Sequence, residues 1–389
     1  MSNYRLTAKD REAFYQLYLF CFNGTDTPER RAFFDYRYDH GWIYGRKRGQ
    51  KLVSGLYNLP FTINFHGVDY KMNGIGDVMS APEASGIGGA GSLLQASLEE
   101  MLEKGVTLAY LSPFSYAYYR RYGYEQVFNH MVYQISNDKL PACHPSVRSG
   151  DVERLTWSEG LPIIQPLYEA QADNMAGGLR RPDWWWHYLQ LKRNWDIAVY
   201  RSANGKPEGY LAYERNGSTL LVKEVITQTA AAYQHLLEFV AATRNTFRTI
   251  AFDDPDPRYR GDLLPEPAYL KAETRPYMMA RIVDLSDFLT RYPYQIQELP
   301  PVTFSITDTN LAANQGTWRL SVHEGRGTIT KIADTLTSPM TIQALTKAAF
   351  GATTLSYLSL TGEAVLPETT VNALDKAFVQ TPPMFQDYF

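Results

Sequence analysis

Cysteine is nearly absent: Cys21 and Cys143 are the two thiols in 389 residues. Two cysteines build neither a disulfide framework nor a zinc site, so a reducing, cytoplasmic setting is expected. The seven histidines are scattered, with no pair at ligand spacing on one element, and no metal site is expected. Basic excess is also missing. Lys and Arg number 38 against 41 Asp and Glu, a formal net charge of −3, whereas a nucleic-acid binder usually shows a basic face. No apolar run approaches the roughly 20 residues that span a bilayer. The opening MSNYRLTAKDREAF is polar and lacks the apolar core of a signal peptide. What is present is a globular composition, 44% hydrophobic and 20% charged, on a chain long enough for two or three domains.

Periodicity orders the elements. Thr7 or Asp10 is placed to cap a helix to about Phe22, with Phe14, Leu17, Tyr18 and Cys21 on one face. Strands are expected at 51–58, 60–66 and 69–80, followed by the glycine loop SGIGGAG (85–91). The helix SLLQASLEEMLEKG follows and stops at Gly105, then a strand at 106–112, a short helix in the tyrosine segment, and a strand at 129–136. PACHPSVRSGD (141–151) reads as a linker. Strands at 196–201, 209–214 and 219–226, split by Asn204-Gly205 and Asn216-Gly217 turns, precede a helix at 230–244 and a strand at 249–254. This second segment repeats the first without a glycine loop. After RYPYQIQELPP (291–301) come a three-strand meander (VTFSITDT, GTWRLSVHE, GTITKIA) and helices at 341–351 and 367–378 flanking an expected strand, SYLSLTG. Domain limits of 1–140, 150–290 and 291–389 follow.

Two readings compete for the loop. Gly86-Ile87-Gly88-Gly89-Ala90-Gly91 satisfies G-x-G-x-x-G, the dinucleotide fingerprint. That fingerprint needs a carboxylate about 20 residues on, and the next strand ends in Tyr110-Leu111-Ser112 instead. The other reading is an acyl-CoA loop, (Arg or Gln)-x-x-Gly-x-(Gly or Ala). Gly88 and Ala90 fill its last two positions and Ser85 departs from the first. Free amides at the following helix start would hold a pyrophosphate. A glycine-rich turn without a ligand is the third alternative.

Tyrosine fills five of nine positions from Tyr116 to Tyr124. Aromatic packing accounts for most of them, Tyr116, Tyr122 and Tyr124 among them. Asp26, Glu29, Asp35 and Asp39 read as solvated loop charge, Trp42 and Tyr44 as a pocket floor or ordinary core, and Cys21 as inert core. The triplet Trp184-Trp185-Trp186 reads as interdomain or subunit packing.

With these stretches in view, the chain resembles the Eis-like (enhanced intracellular survival) family of GNAT N-acetyltransferases. IGDVMSAPEASGIGGAG matches its acetyl-CoA motif. YYRRYGY (118–124) matches its (Phe or Ile)-Tyr-x-(Arg or Lys)-(Phe or Tyr)-Gly-Tyr run, with Tyr118 departing at the first position. RIVDLSDFLTRYP (281–293) and the ITD…GTW pattern match its junction into a sterol-carrier-like domain. The resemblance covers essentially the whole chain. It implies a mixed α+β architecture: tandem GNAT folds with mostly antiparallel sheets and flanking helices, the second without a cofactor site, then a small sterol-carrier-like α+β domain. It implies acetyl-CoA as co-substrate, a homo-oligomer such as a trimer or hexamer, Tyr119 as general acid and the α-carboxylate of Phe389 as general base.

The chemistry to be served is attack of a neutral amine on a thioester. The backbone of Val78, Met79 and Ser80, running into Ser85–Gly91, can donate to the carbonyl. A phenol can protonate a departing thiolate, and a terminal carboxylate can orient the ammonium. The expectation is an N-acetyltransferase acting on a small-molecule or peptide amine (aminoglycoside-, polyamine- or lysine-like), with no nucleic-acid or membrane partner. A non-catalytic acyl-CoA or lipid carrier and, more remotely, a nicotinamide dehydrogenase are the competing readings.

Overall fold

A computed structural model describes residues 4–84, 86, 88–171, 175–193 and 195–389. Ser85 and Ile87, both expected in the cofactor loop, lie outside the described residues. The chain divides into two compact units. The first gathers residues up to 128, 176–188 and 277–389; the second takes 129–175 and 189–276.

The first unit opens with a capping box in which Thr7 and Asp10 satisfy each other's backbone amides, launching a single turn and then α1, Arg11–Cys21. Thr27 caps α2, Pro28–His40, and Pro28 sits in its first turn, where a missing amide costs nothing. Glu29, Asp35 and Asp39, expected on a loop, are therefore helical. Next come β1 (Trp42–Arg48), β2 (Lys51–Phe65) and β3 (Val68–Ser80), each antiparallel to its neighbour. The β2–β3 turn is His66-Gly67, both with positive φ, as a two-residue hairpin with the right twist requires. Then α3 (Gly89–Glu103) crosses over to β4 (Leu108–Leu111), which is parallel to β3.

Two strands expected at 51–58 and 60–66 are one. Pro60, which has no amide to donate, falls where the partner on one edge changes: β2 pairs with β1 as far as Asn58 and with Ala176–Arg180 from Thr62 onward.

The C-terminal part of the first unit holds a four-stranded sheet in the order Arg326–Ala333, Gly316–His323, Leu299–Thr307, Met340–Thr341, followed in the chain by helices Ile342–Ala349, Leu355–Leu360 and Glu368–Ala377. The meander matches expectation, but SYLSLTG does not. Residues Leu355–Leu360 form a helix, because Thr354 caps its start and the Asp375 carboxylate accepts from the Leu355 and Ser356 amides. The run is too short for alternation to separate a strand from a helix.

In the second unit, strands Asp196–Arg201, Pro207–Asn216 and Thr219–Thr227 form an antiparallel meander, and helix Ala230–Ala242 leads to Thr249–Asp254, parallel to Thr219–Thr227. The order is that of β1 to β4. Here only two residues separate the strand from the helix, whose start is capped by the Thr229 hydroxyl, so no open glycine loop stands there.

Candidate active site

The glycine loop ends in an uncapped helix. Gly88, the N-cap of α3, has φ 74° and offers no side-chain oxygen to the first-turn amides. A Cβ at Gly86 or Gly88 would meet nothing within 4 Å, so the loop is open on its outer side. Inside the turn the glycines have packing reasons. A Cβ on Gly89 would collide with the Ser54 hydroxyl, and one on Gly91 with the Tyr122 hydroxyl. A helix N-terminus without a side-chain cap, with room outside its turn, suits a pyrophosphate, so Gly86, Gly88, Gly89, Ala90 and Gly91 are candidates for a CoA cradle.

β4 leads toward this loop and then leaves a gap. It pairs with β3 only over Met72–Ile75, because it stops at Leu111. Past Ile75 the β3 edge facing β4, including Val78, Met79 and Ser80, has no β4 partner. Its backbone groups there can serve an amide-rich chain and a thioester carbonyl.

Ser115 caps α4 (Tyr116–Arg120), which places the tyrosines after that gap. Tyr124 is fully buried beside Leu94, Leu98 and Met101 of the α3 core, and Tyr122 reaches Gly91, so both pack as expected. Tyr119 is 2% exposed, and among the described residues its hydroxyl has no hydrogen-bond partner. Burial, with smaller contributions from Tyr118, Tyr124 and Tyr388, pushes this phenol far above its ordinary value. Burial also pushes Tyr118 up to about 12. Phe114, 69% exposed, lays its ring 5.2 Å from that of Tyr119.

Tyr388 leads to Phe389, which is 4% exposed and lies on β3. A Cβ on Gly74 would fall 2.7 Å from the Phe389 ring, and one on Gly76 would fall 3.2 Å from its carboxyl carbon. Two glycines one residue apart in a strand interior therefore mark where another segment presses onto the backbone. The ring stacks on Phe61 at 5.6 Å, Phe61 on Trp184 at 5.1 Å, and Trp184 on His40 at 5.0 Å.

Asp387 anchors this segment. Its carboxylate takes Arg181 Nε at 2.9 Å and Trp185 Nε1 at 2.7 Å, with both ion-pair side chains 1% exposed. The Tyr277 hydroxyl donates to the Asp387 carbonyl at 3.0 Å, and the Met384 amide to Ala176 O at 3.0 Å. Trp184 and Trp185 thus pack around the C-terminal residues, where the sequence suggested interdomain or subunit packing. Substituting Arg181→Met strands a buried carboxylate, at a cost of about 3 kcal/mol or more. The expected result is a fall of about 6 °C or more in the melting midpoint, read by differential scanning calorimetry.

Sequence reasoning missed Arg181 and Asp387, which are far apart in the chain, and it missed Asp77; it read Trp185 as a packing residue without its carboxylate partner. Asp77 sits at a β-bulge and pairs with Arg37, itself 1% exposed and stacked 4.2 Å over the Tyr57 ring. The Gly74-Ile75-Gly76 spacing was the available signal. Tyr44 resolves as core, its hydroxyl 2.6 Å from Glu100. Cys21 is half-buried, and burial pushes its thiol up. Among the described residues no cluster of three His, Cys, Asp or Glu side chains could hold a metal, and no helix is long and apolar enough to cross a membrane.

The acetyltransferase (GNAT) domain family matches residues 4–127 and, through a second profile, 177–282, and the sterol carrier protein domain family matches 285–386. No curated protein matches the sequence. Among solved structures, a conserved protein of unknown function from Enterococcus faecalis V583, described as a probable N-acyltransferase, is 31% identical. The match covers 99% of this chain and 98% of that one, with a TM-score of 0.93. A GCN5-related N-acetyltransferase from Anabaena variabilis ATCC 29413 is 26% identical over 99% of both chains, with a TM-score of 0.87. Eis1 from Mycobacterium abscessus, 19% identical over 99% of both chains, has a TM-score of 0.80 and shows the fold alone. Likeness at this level over nearly the whole length has one reading: the chain belongs to the GNAT acetyltransferases, with two GNAT domains and a C-terminal sterol carrier protein domain.

Proposed function

We propose that this protein transfers acetyl from acetyl-CoA directly to a primary amine of the aminoglycoside, polyamine or lysine type. The observation that carries this is the Phe389 carboxyl group. It is buried against Gly76 of the first GNAT domain, and among the described residues no cation stands within ion-pair distance of it. A buried carboxylate without a partner is costly, and a substrate ammonium is the cation that would relieve it.

Acetyl-CoA, with its phosphates at the α3 amides, supplies the activated acyl thioester. The Phe389 carboxylate holds the ammonium, orients it, and passes one of its protons toward water. A carboxylate is weak as a base, so its main work is to hold and orient the ammonium. Backbone amides of Val78–Ser80 donate to the carbonyl oxygen as it gains charge. The nitrogen lone pair forms the new C–N bond as the C–S bond breaks. The Tyr119 hydroxyl donates to the sulfur that receives the electron pair, and the leaving thiolate ends as a thiol by taking up one proton while the new amide nitrogen releases its second one to water.

The test is thiol release from acetyl-CoA with spermidine, kanamycin and Nα-acetyl-lysine amide, beside calorimetry of acetyl-CoA alone. Turnover of at least one amine supports the reading. Binding of acetyl-CoA without turnover of any amine favours the carrier alternative, and failure of both sinks the proposal. A homo-oligomer, trimer or hexamer, belongs to the same proposal and is tested by light scattering.

A further inference from the structure

We infer that Asp77 is a substrate-binding residue, a second carboxylate that takes a donor of the amine beside the Phe389 carboxylate. The inference rests on the function proposed above.

Three observations bring Asp77 to the site. The first is register. Gly55 faces Met79 and Tyr57 faces Gly76, so Leu56 alone faces Asp77 and Val78, and β3 carries one extra residue there. Bulges re-aim side chains and collect beside active sites. The second is conformation. Asp77 has φ 46°, in the left-handed region that few residues other than Asn, Asp and Gly enter readily. In a regular strand Asp77 would point away from the face used by Gly76. At the bulge it turns to the α2 face, where Arg37 meets it.

The third is what else occupies that face. Tyr57 lies directly across from Gly76, with its Cβ 3.9 Å from where a Gly76 Cβ would stand, and the Phe389 carboxyl carbon lies 3.2 Å from the same point. Arg37, Tyr57, Asp77 and the terminal carboxyl therefore share one side of two adjacent strands. The Asp77 side chain is 16% exposed where Arg37 is 1% exposed, so of the pair it is the carboxylate that solvent reaches. Arg37 occupies Oδ2 alone, which leaves Oδ1 as an acceptor.

The charge count fits one cationic amine. Two carboxylates and one guanidinium leave a single negative charge in a buried setting. Phe389 takes one N–H of the ammonium, and Asp77 Oδ1 takes another N–H or an adjacent donor. Held at two points, the nitrogen presents its lone pair toward the β3–β4 gap once a proton has left.

D77N in the full-length protein is the test. Asn tolerates the same φ, and its carbonyl oxygen still accepts from Arg37, so the bulge and the buried guanidinium keep their support. The expected result is a rise of about 10–100-fold in KM for the amine, from loss of a hydrogen bond to a charged group. The KM for acetyl-CoA should stay within twofold. An amine KM within twofold of wild type, with that same acetyl-CoA KM, overturns the inference. If D77N melts early, the R37M/D77N double substitution removes the guanidinium as well and is read by the same criterion. Wild-type protein that turns over none of spermidine, kanamycin and Nα-acetyl-lysine amide overturns the proposed function and this inference together. Wild-type turnover with D77N unaltered overturns the inference alone.

Discussion

Two glycines added after Phe389 are expected to lower kcat/KM for the amine by about 10²–10⁴-fold, the range a positioned acid–base group supplies. The extension turns the carboxylate into an amide and puts atoms where the substrate ammonium would sit, against Gly76. It leaves the anchor alone, since Asp387 keeps Arg181 and Trp185. Melting temperature and acetyl-CoA affinity should therefore stay near wild type while turnover collapses. An extended enzyme within tenfold of wild type would remove the Phe389 carboxylate from the reaction. A loss of acetyl-CoA affinity would show instead that the tail acts on the cofactor side.

Tyr119→Phe is expected to cost about 10²–10³-fold in kcat with little change in either KM, because the hydroxyl matters as charge develops on sulfur. The pH profile sharpens this. Burial holds the Tyr119 phenol far above its usual value, so its proton is retained throughout the range in which the protein is handled. The rate should rise with pH as the substrate amine loses its proton, with no falling limb from Tyr119 below about pH 10. The variant should show the same rising limb at lower amplitude. A wild-type falling limb near pH 9 that vanishes in Tyr119→Phe would contradict a phenol so strongly held. On the proposed mechanism, a phenol held this far up would serve mainly as a hydrogen-bond donor to the sulfur.

Much of this was legible locally. Thr7 with Asp10, the Asn-Gly turns and the stop at Gly105 act over a few residues, and each signal matched its element. The loop and tyrosine run were readable for the same reason. Pro60 misled because its consequence depends on which strand lies on the neighbouring edge, and that strand is more than a hundred residues away. SYLSLTG misled because its cap is Thr354 but its second support, Asp375, is distant in the chain. Arg181, Asp387 and Asp77 were invisible for that reason too. An ion pair separated by 206 positions leaves no periodicity, and a bulge is a statement about two strands at once. The Gly74 and Gly76 spacing was the one local trace of that crowding.

The first unit draws on three separate stretches of chain, and this governs how it can be made. β2 needs Ala176–Arg180 to cover the far part of its edge, and β4 needs residues 279–282 along its own. A fragment ending near residue 140 would present both edges bare, as templates for aggregation. Assembly of this unit must close loops of more than a hundred residues before those pairings form, so its contacts are strongly non-local and slow folding is the expectation. The candidate site is thus expected among the last features the chain completes, even though the loop and tyrosines assigned to it lie in its first third.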